Sequence, residues 1–219
     1  MTEVQVYPDK QQLTDALTSQ AVELIQTTKV KNIALSGGGL GVQVAVELTR
    51  KLAESELLSN MKFYMADERF VEETHPESNI GQILSAISDL KVDFYHLPLP
   101  PENSLNQAAN LANDQLGDDF KFDLVLLGIG PDGHTASLFP SRSYPENTVV
   151  AESNSPKPPA ERLSFGYQVF NASDNVWFAV SGEQKATAVS QALSGNKNLP
   201  AGSVAGVKTT KWFLTEELA

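Results

Sequence analysis

The 219-residue chain contains no cysteine, which excludes a disulfide framework, a thiolate nucleophile and any metal or iron–sulfur site built on sulfur ligands. A reducing compartment is compatible with that composition. Cations are scarce: 16 Lys and Arg face 27 Asp and Glu, for a formal net charge of −11. Such a surface repels phosphate backbones and anionic lipids at long range, so neither nucleic acid nor membrane is an expected partner. Nowhere do roughly 18 apolar residues run together, and Met1-Thr2-Glu3-Val4-Gln5-Val6 lacks the basic start and apolar run of an export signal. A cytoplasmic location is the expectation. Histidine is scarce as well: His75, His96 and His134 stand far apart with no His-Glu-x-x-His, so no metal site is expected.

What is present reads as one α/β domain over residues 1–219. Hydrophobic residues make up 41% and charged residues 20% of the chain, close to soluble averages. Short apolar runs that suit buried strands, at Asn32–Leu35, Lys62–Met65, 93–97, Leu124–Leu127, Arg162–Phe165, 176–180 and 212–214, alternate with segments of helical period. Leu13, Leu17, Leu24 and Ile25 share a face after Asp9; Val44, Ala45, Leu48 and Leu52 do so after a glycine loop. Two more such faces follow Ser78 and Ser104, both suitable caps. The alternation predicts a three-layer α/β/α arrangement around a mostly parallel, Rossmann-like sheet, with ligands bound beyond the carboxyl ends of the strands.

The loops at those strand ends carry the chemistry. Ser36-Gly37-Gly38-Gly39 follows the first run and opens a helix, so its backbone N–H groups suit a phosphate; the plainer reading is a turn that needs positive φ. Asp67-Glu68-Arg69 ends the second run, where Arg69 offers a planar fork for an oxyanion and the plainer reading is an ion pair. Gly128-Ile129-Gly130-Pro131-Asp132-Gly133-His134 satisfies a dinucleotide fingerprint literally. However, Pro131 lacks a donor, Asp132 would repel a pyrophosphate, and Phe139-Pro140 cuts short the receiving helix. The segment reads better as a sharp turn presenting Asp132 and His134, with His134 as the proton-transfer group. Ser137 lies outside any Gly-x-Ser-x-Gly elbow. The cations Arg162, after a proline-rich stretch, and Lys185, after the 176–180 run, are either surface charge or a clamp for an anion.

Taken in order, Ser36-Gly37-Gly38, Asp67-Glu68-Arg69, the 128–140 run, Pro156-Lys157-Pro158-Pro159-Ala160-Glu161-Arg162 and Ser181-Gly182-Glu183-Gln184-Lys185-Ala186 resemble the glucosamine-6-phosphate isomerase/6-phosphogluconolactonase family over nearly the whole chain. The family usually continues its glycine loop with Thr-Pro; here Leu40-Gly41 stands there, without the hydroxyl. The deaminase branch places an acidic residue five positions after the motif histidine, where this chain has Phe139.

The resemblance therefore implies the lactonase branch: hydrolysis of 6-phospho-D-glucono-1,5-lactone in the oxidative pentose phosphate pathway, without cofactor or metal, by a monomer or weak homodimer. It implies His134 as general base, Asp132 orienting it or the substrate, Asp67 positioning the sugar and Arg69 stabilising the oxyanion. The loop Ser36-Gly37-Gly38 with Arg162 and Lys185 would hold the phosphate. A sugar-phosphate isomerase or deaminase, and a sensor that binds without turnover, are the alternatives.

Overall fold

Asp9 turns the chain from its first strand into its first helix: its Oδ1 accepts from the Gln12 N–H at 2.8 Å, capping an end that would otherwise leave donors unpaired. The computed structural model describes residues 2–219. In chain order the elements are β1 (Thr2–Tyr7), α1 (Lys10–Thr27), β2 (Asn32–Leu35), α2 (Gly38–Glu54), β3 (Lys62–Met65), β4 (Asp67–Arg69), α3 (Asn79–Ala86) and α4 (Leu105–Leu116). They continue as β5 (Leu124–Leu127), β6 (Val149–Glu152), β7 (Arg162–Phe165), α5 (Tyr167–Ala172), β8 (Asn175–Val180), α6 (Ala186–Leu193) and β9 (Thr209–Thr215). Short 3₁₀ turns join several of them.

Six strands form an all-parallel sheet in the order β1-β9-β8-β5-β2-β3. Residues alternate between its two faces, and both faces are covered. Ile33 and Leu35 of β2, Trp177 of β8 and Phe213 of β9 pack with α1, α2 and α3. Ala34, Val125, Phe178 and Leu214 pack on the opposite side with α4, α5 and α6. Covering both faces explains why the central strands read as unbroken apolar runs. An aromatic group of Tyr64, Phe120, Phe122 and Phe165 fills that second layer, with Phe122 and Phe165 ring centroids 4.8 Å apart. Among the described residues no helix is long and apolar enough to cross a membrane.

Some expectations need correction. The 93–97 run is not a strand: it touches β3 through one bridge, Phe63 to Phe94, and Pro98, Pro100 and Pro101 follow, removing the donors a longer ladder needs. Arg162–Phe165 does form a strand, but outside the parallel sheet; β7 pairs antiparallel between β4 and β6 in a separate three-stranded sheet. Neither β1, β4 nor β6 was anticipated. The small sheet matters because it carries Asp67, Arg69 and Arg162 to the carboxyl edge of the large one.

Candidate active site

The strand order reverses between β2 and β5, since the chain leaves β2 for β3 on one side and β5 for β8 on the other. Loops diverging from such neighbours leave a crevice that parallel sheets use for ligands. Here the β2 loop is the glycine segment and the β5 loop is the Asp132/His134 segment. A pocket of about 210 Å³ lies between them. Every residue nominated from the sequence lines it except Asp132, which stands behind His134. Larger open hollows, about 460 Å³ beside Ser141 and Tyr167 and about 580 Å³ beside His75 and Gln82, lie away from these loops.

The β5 loop is folded by its glycines. Gly133 takes φ +86°, a conformation that side chains resist. Its N–H donates to the Gly130 carbonyl at 3.0 Å, and the Gly130 N–H donates to the His134 carbonyl at 2.9 Å. A Cβ on Gly130 would overlap both the His134 ring and the Asp132 carboxylate. This close approach sets Asp132 Oδ1 2.5 Å from His134 Nδ1. The carboxylate selects the Nδ1–H tautomer, which leaves Nε2 as the basic atom. Burial holds the His134 pKa below its ordinary value, opposed by Asp132 and Asp67 and aided by Lys157. Burial is the largest influence on the Asp132 carboxyl and pushes its pKa up, but the ring and backbone hydrogen bonds of His134, the His134 charge and Asp132's own N–H together outweigh it and leave it lowered. The pair is therefore a neutral imidazole beside an ionised carboxylate at neutral pH.

On the β2 side, α2 starts at Gly38 with Gly37 as its cap residue and no side-chain cap, so its first N–H groups are available to an anion. Gly38 has φ +77°. Ser36 is committed elsewhere in this structure: its hydroxyl donates to the Leu126 carbonyl at 3.0 Å, tying the two loops together. Lys185, which ends the 3₁₀ turn before α6, lines the same pocket. Burial lowers its pKa, and the charges of Lys157 and Lys10 lower it further, a crowding of cations that a bound anion would relieve.

The small sheet supplies the third wall. Asp67 Oδ2 accepts from the Ser137 hydroxyl at 2.6 Å and lies 4.0 Å from Arg162 Nη1. The Arg162 side chain is only 6% exposed. Its Nε donates to the Pro159 carbonyl at 3.1 Å and its Nη2 to that of Lys157 at 3.0 Å, so much of its donor capacity shapes the proline-rich loop. Arg69 Nη1 donates to the Glu77 carbonyl at 2.7 Å, while its buried Nε has no partner among the described residues.

Two lining residues were not singled out from the sequence. Lys157 enters on the proline-rich loop before Arg162; only its charge beside Pro158-Pro159 marked it in the sequence. Asn79 reads as part of a helix start, yet its Nδ2 donates to the Asp67 carbonyl at 3.0 Å and its side chain lies against Gly37. Phe139 is buried, its ring centroid 4.9 Å from that of His134.

The fold and site together define a parallel α/β protein with a histidine–carboxylate pair facing a glycine loop and a cluster of cations. Residues 9–212 match the family described as glucosamine-6-phosphate isomerases/6-phosphogluconolactonase, and the chain belongs to that family. It is 31% identical over 246 residues to the 6-phosphogluconolactonase of Mycobacterium leprae, covering 99% of this chain and 96% of that protein. It is 35% identical over 215 residues to the chloroplastic 6-phosphogluconolactonase 3 of Arabidopsis thaliana, covering 83% of this chain but spanning only 62% of the plant protein's length. The crystal structure of a 6-phosphogluconolactonase from Thermotoga maritima superposes with a TM-score of 0.84 at 23% identity, covering 99% of this chain and 100% of that one, a likeness of fold.

Proposed function

We propose that the chain is a 6-phosphogluconolactonase, hydrolysing 6-phospho-D-glucono-1,5-lactone to 6-phosphogluconate as in the oxidative pentose phosphate pathway. The observation that carries this reading is the Asp132–His134 pair, 2.5 Å apart, set across one crevice from an uncapped glycine loop and Lys185. His134 Nε2 takes a proton from water as its oxygen bonds to the lactone carbonyl carbon. The tetrahedral intermediate then collapses, the ring C–O bond breaks, and His134 returns the proton to the departing ring oxygen. Arg69, which lines the pocket, stabilises charge on the carbonyl oxygen. Asp67, fixed by Ser137, positions the sugar.

The phosphate sits at the start of α2, held by the Gly37–Gly38 backbone, Lys185 and Lys157. Arg162 contributes through Nη1, the donor group its carbonyl partners leave over. Phe139 supports the lactonase branch, because an apolar ring packs on His134 where the deaminase branch carries an acid.

The test uses freshly prepared lactone in mildly acidic buffer, where spontaneous hydrolysis is slow. Contacts to a remote phosphate act about equally in ground and transition states, so they appear in KM. Lys185→Ala and Lys157→Ala should raise KM for the phosphorylated lactone and leave slow turnover of unphosphorylated gluconolactone nearly unchanged. Equal losses on both lactones would assign the lysines to the fold or the chemistry instead.

A further inference from the structure

Of the three charged residues of β4, Asp67 and Arg69 line the pocket and Glu68, between them, does not, as the alternation of a strand requires. Glu68 is 1% exposed, and no cation pairs with it among the described residues. Three main-chain N–H groups converge on its carboxylate instead. Oε1 accepts from Arg69 at 2.8 Å and from Asn79 at 2.7 Å, and Oε2 accepts from Ile80 at 2.7 Å. These bonds join β4 to the first turn of α3. Asn79 carries the connection onward: its Nδ2 holds the Asp67 carbonyl, and its side chain packs on Gly37 so closely that no Cβ fits there.

We propose that Glu68 is a positioning residue: its ionised carboxylate locks Arg69, Asn79 and, through Asn79, the Gly37 loop in the arrangement that binds and turns over substrate, and its protonation loosens all three. The role in turnover rests on the function proposed above; the coupling from Glu68 to Gly37 does not. Three donors facing an ionised carboxylate are matched, whereas a protonated carboxyl brings its own O–H among them and loses acceptor strength. Glu68 also borders a small cavity of about 10 Å³ shared with Tyr95 and His96, about the least space that one water needs. His96 is bonded to Glu73 at 2.7 Å. The other charged groups around it are Asp67 and Arg69 on its own strand, Arg162 opposite Arg69 on β7, and Glu77 just before α3. Burial pushes the Glu68 pKa up to about 7 against the pull of its three N–H bonds, and Asp67 adds to the rise. The lock therefore closes and opens within the neutral range.

Backbone amide NMR of the unaltered protein between pH 5.5 and 8.5 reads the coupling without reference to activity. Arg69, Asn79, Ile80 and Gly37 should share a midpoint near 7, absent in Glu68→Gln; no common midpoint in that range overturns the proposal, whether or not the variant folds. The pH dependence of lactone hydrolysis reads the consequence. From its plateau to pH 6, kcat/KM of the unaltered enzyme should fall about tenfold through this group, while Glu68→Gln should start lower and keep only the limb of His134. Identical pH profiles in the two proteins overturn the positioning role. If the unaltered protein shows no lactone hydrolysis at any pH, the proposed function fails and the amide titration alone decides the coupling.

Discussion

His134, the base of the proposed reaction, is held neutral at physiological pH by opposing influences on its ring: burial and Lys157 push its pKa down, and Asp132 and Asp67 pull it up. Its catalytic form is lost as pH falls, so kcat/KM should show a limb below the ordinary histidine value of about 6.5. His134→Ala should lower kcat by about 10²–10⁴-fold with little change in KM, the range for a positioned acid–base group; steady-state kinetics corrected for spontaneous hydrolysis check this, and near-normal kcat would remove His134 from the role. Gly130→Ala should lower kcat by at least about tenfold although Gly130 itself takes no part in the chemistry, since its Cβ would displace the His134 ring and the Asp132 carboxylate together; unchanged kcat would show that the pair tolerates movement.

Asp132 and His134 were legible because they share one short loop whose glycines and strand end are visible in sequence. Lys157 and Asn79 were not. Lys157 is brought in by a loop more than 100 residues from the Ser36 loop it faces, and Asn79 matters through contacts with Asp67 and Gly37 that no local pattern encodes. The Ser36 hydroxyl illustrates the same limit, because only the approach of β5 reveals that it donates to the Leu126 carbonyl.

The elements divide along a similar line. Strands buried on both faces announced themselves as apolar runs, and α1 and α3 began where Asp9 and Ser78 cap them. At α4, the Gln107 side chain reaches back to the Ser104 N–H at 3.0 Å. Edge and satellite strands were hidden: β1 leaves Val4 and Val6 45% and 43% exposed, and β4 is three charged residues held by pairing with β7. The 93–97 run misled because it has the composition of a strand and lies beside β3, but prolines end its ladder. Phe122, fully buried against Tyr64, Phe120 and Phe165, joins the large sheet to the small one. Phe122→Ala should cost about 3–5 kcal/mol of stability, measured by urea denaturation. A loss under about 1 kcal/mol would mean that the two sheets are not held together there.

At the scale of the whole molecule, the proposed function requires a chain of net charge −11 to admit an anionic substrate. Its attraction is confined to the pocket, where Lys157, Lys185, Arg69 and Arg162 gather, and the remaining surface opposes it. The Debye length is about 30 Å at 0.01 M salt and about 10 Å at 0.1 M, so added salt screens the distributed repulsion before it screens cations in contact with phosphate. KM for the phosphorylated lactone should therefore fall between 0.01 M and 0.1 M sodium chloride. A KM that rises steadily over that range would mean that long-range attraction dominates and the charge account is wrong.

The central claim is that this crevice opens a phosphorylated sugar lactone. Proton release from freshly made 6-phospho-D-glucono-1,5-lactone at mildly acidic pH tests it most directly, with the purified chain compared against the buffer blank. The account predicts release far above the spontaneous rate, saturable in lactone and reduced toward the blank in His134→Ala. A rate equal to the blank, in a protein that still binds the lactone, would contradict it and leave a sugar-phosphate sensor in its place.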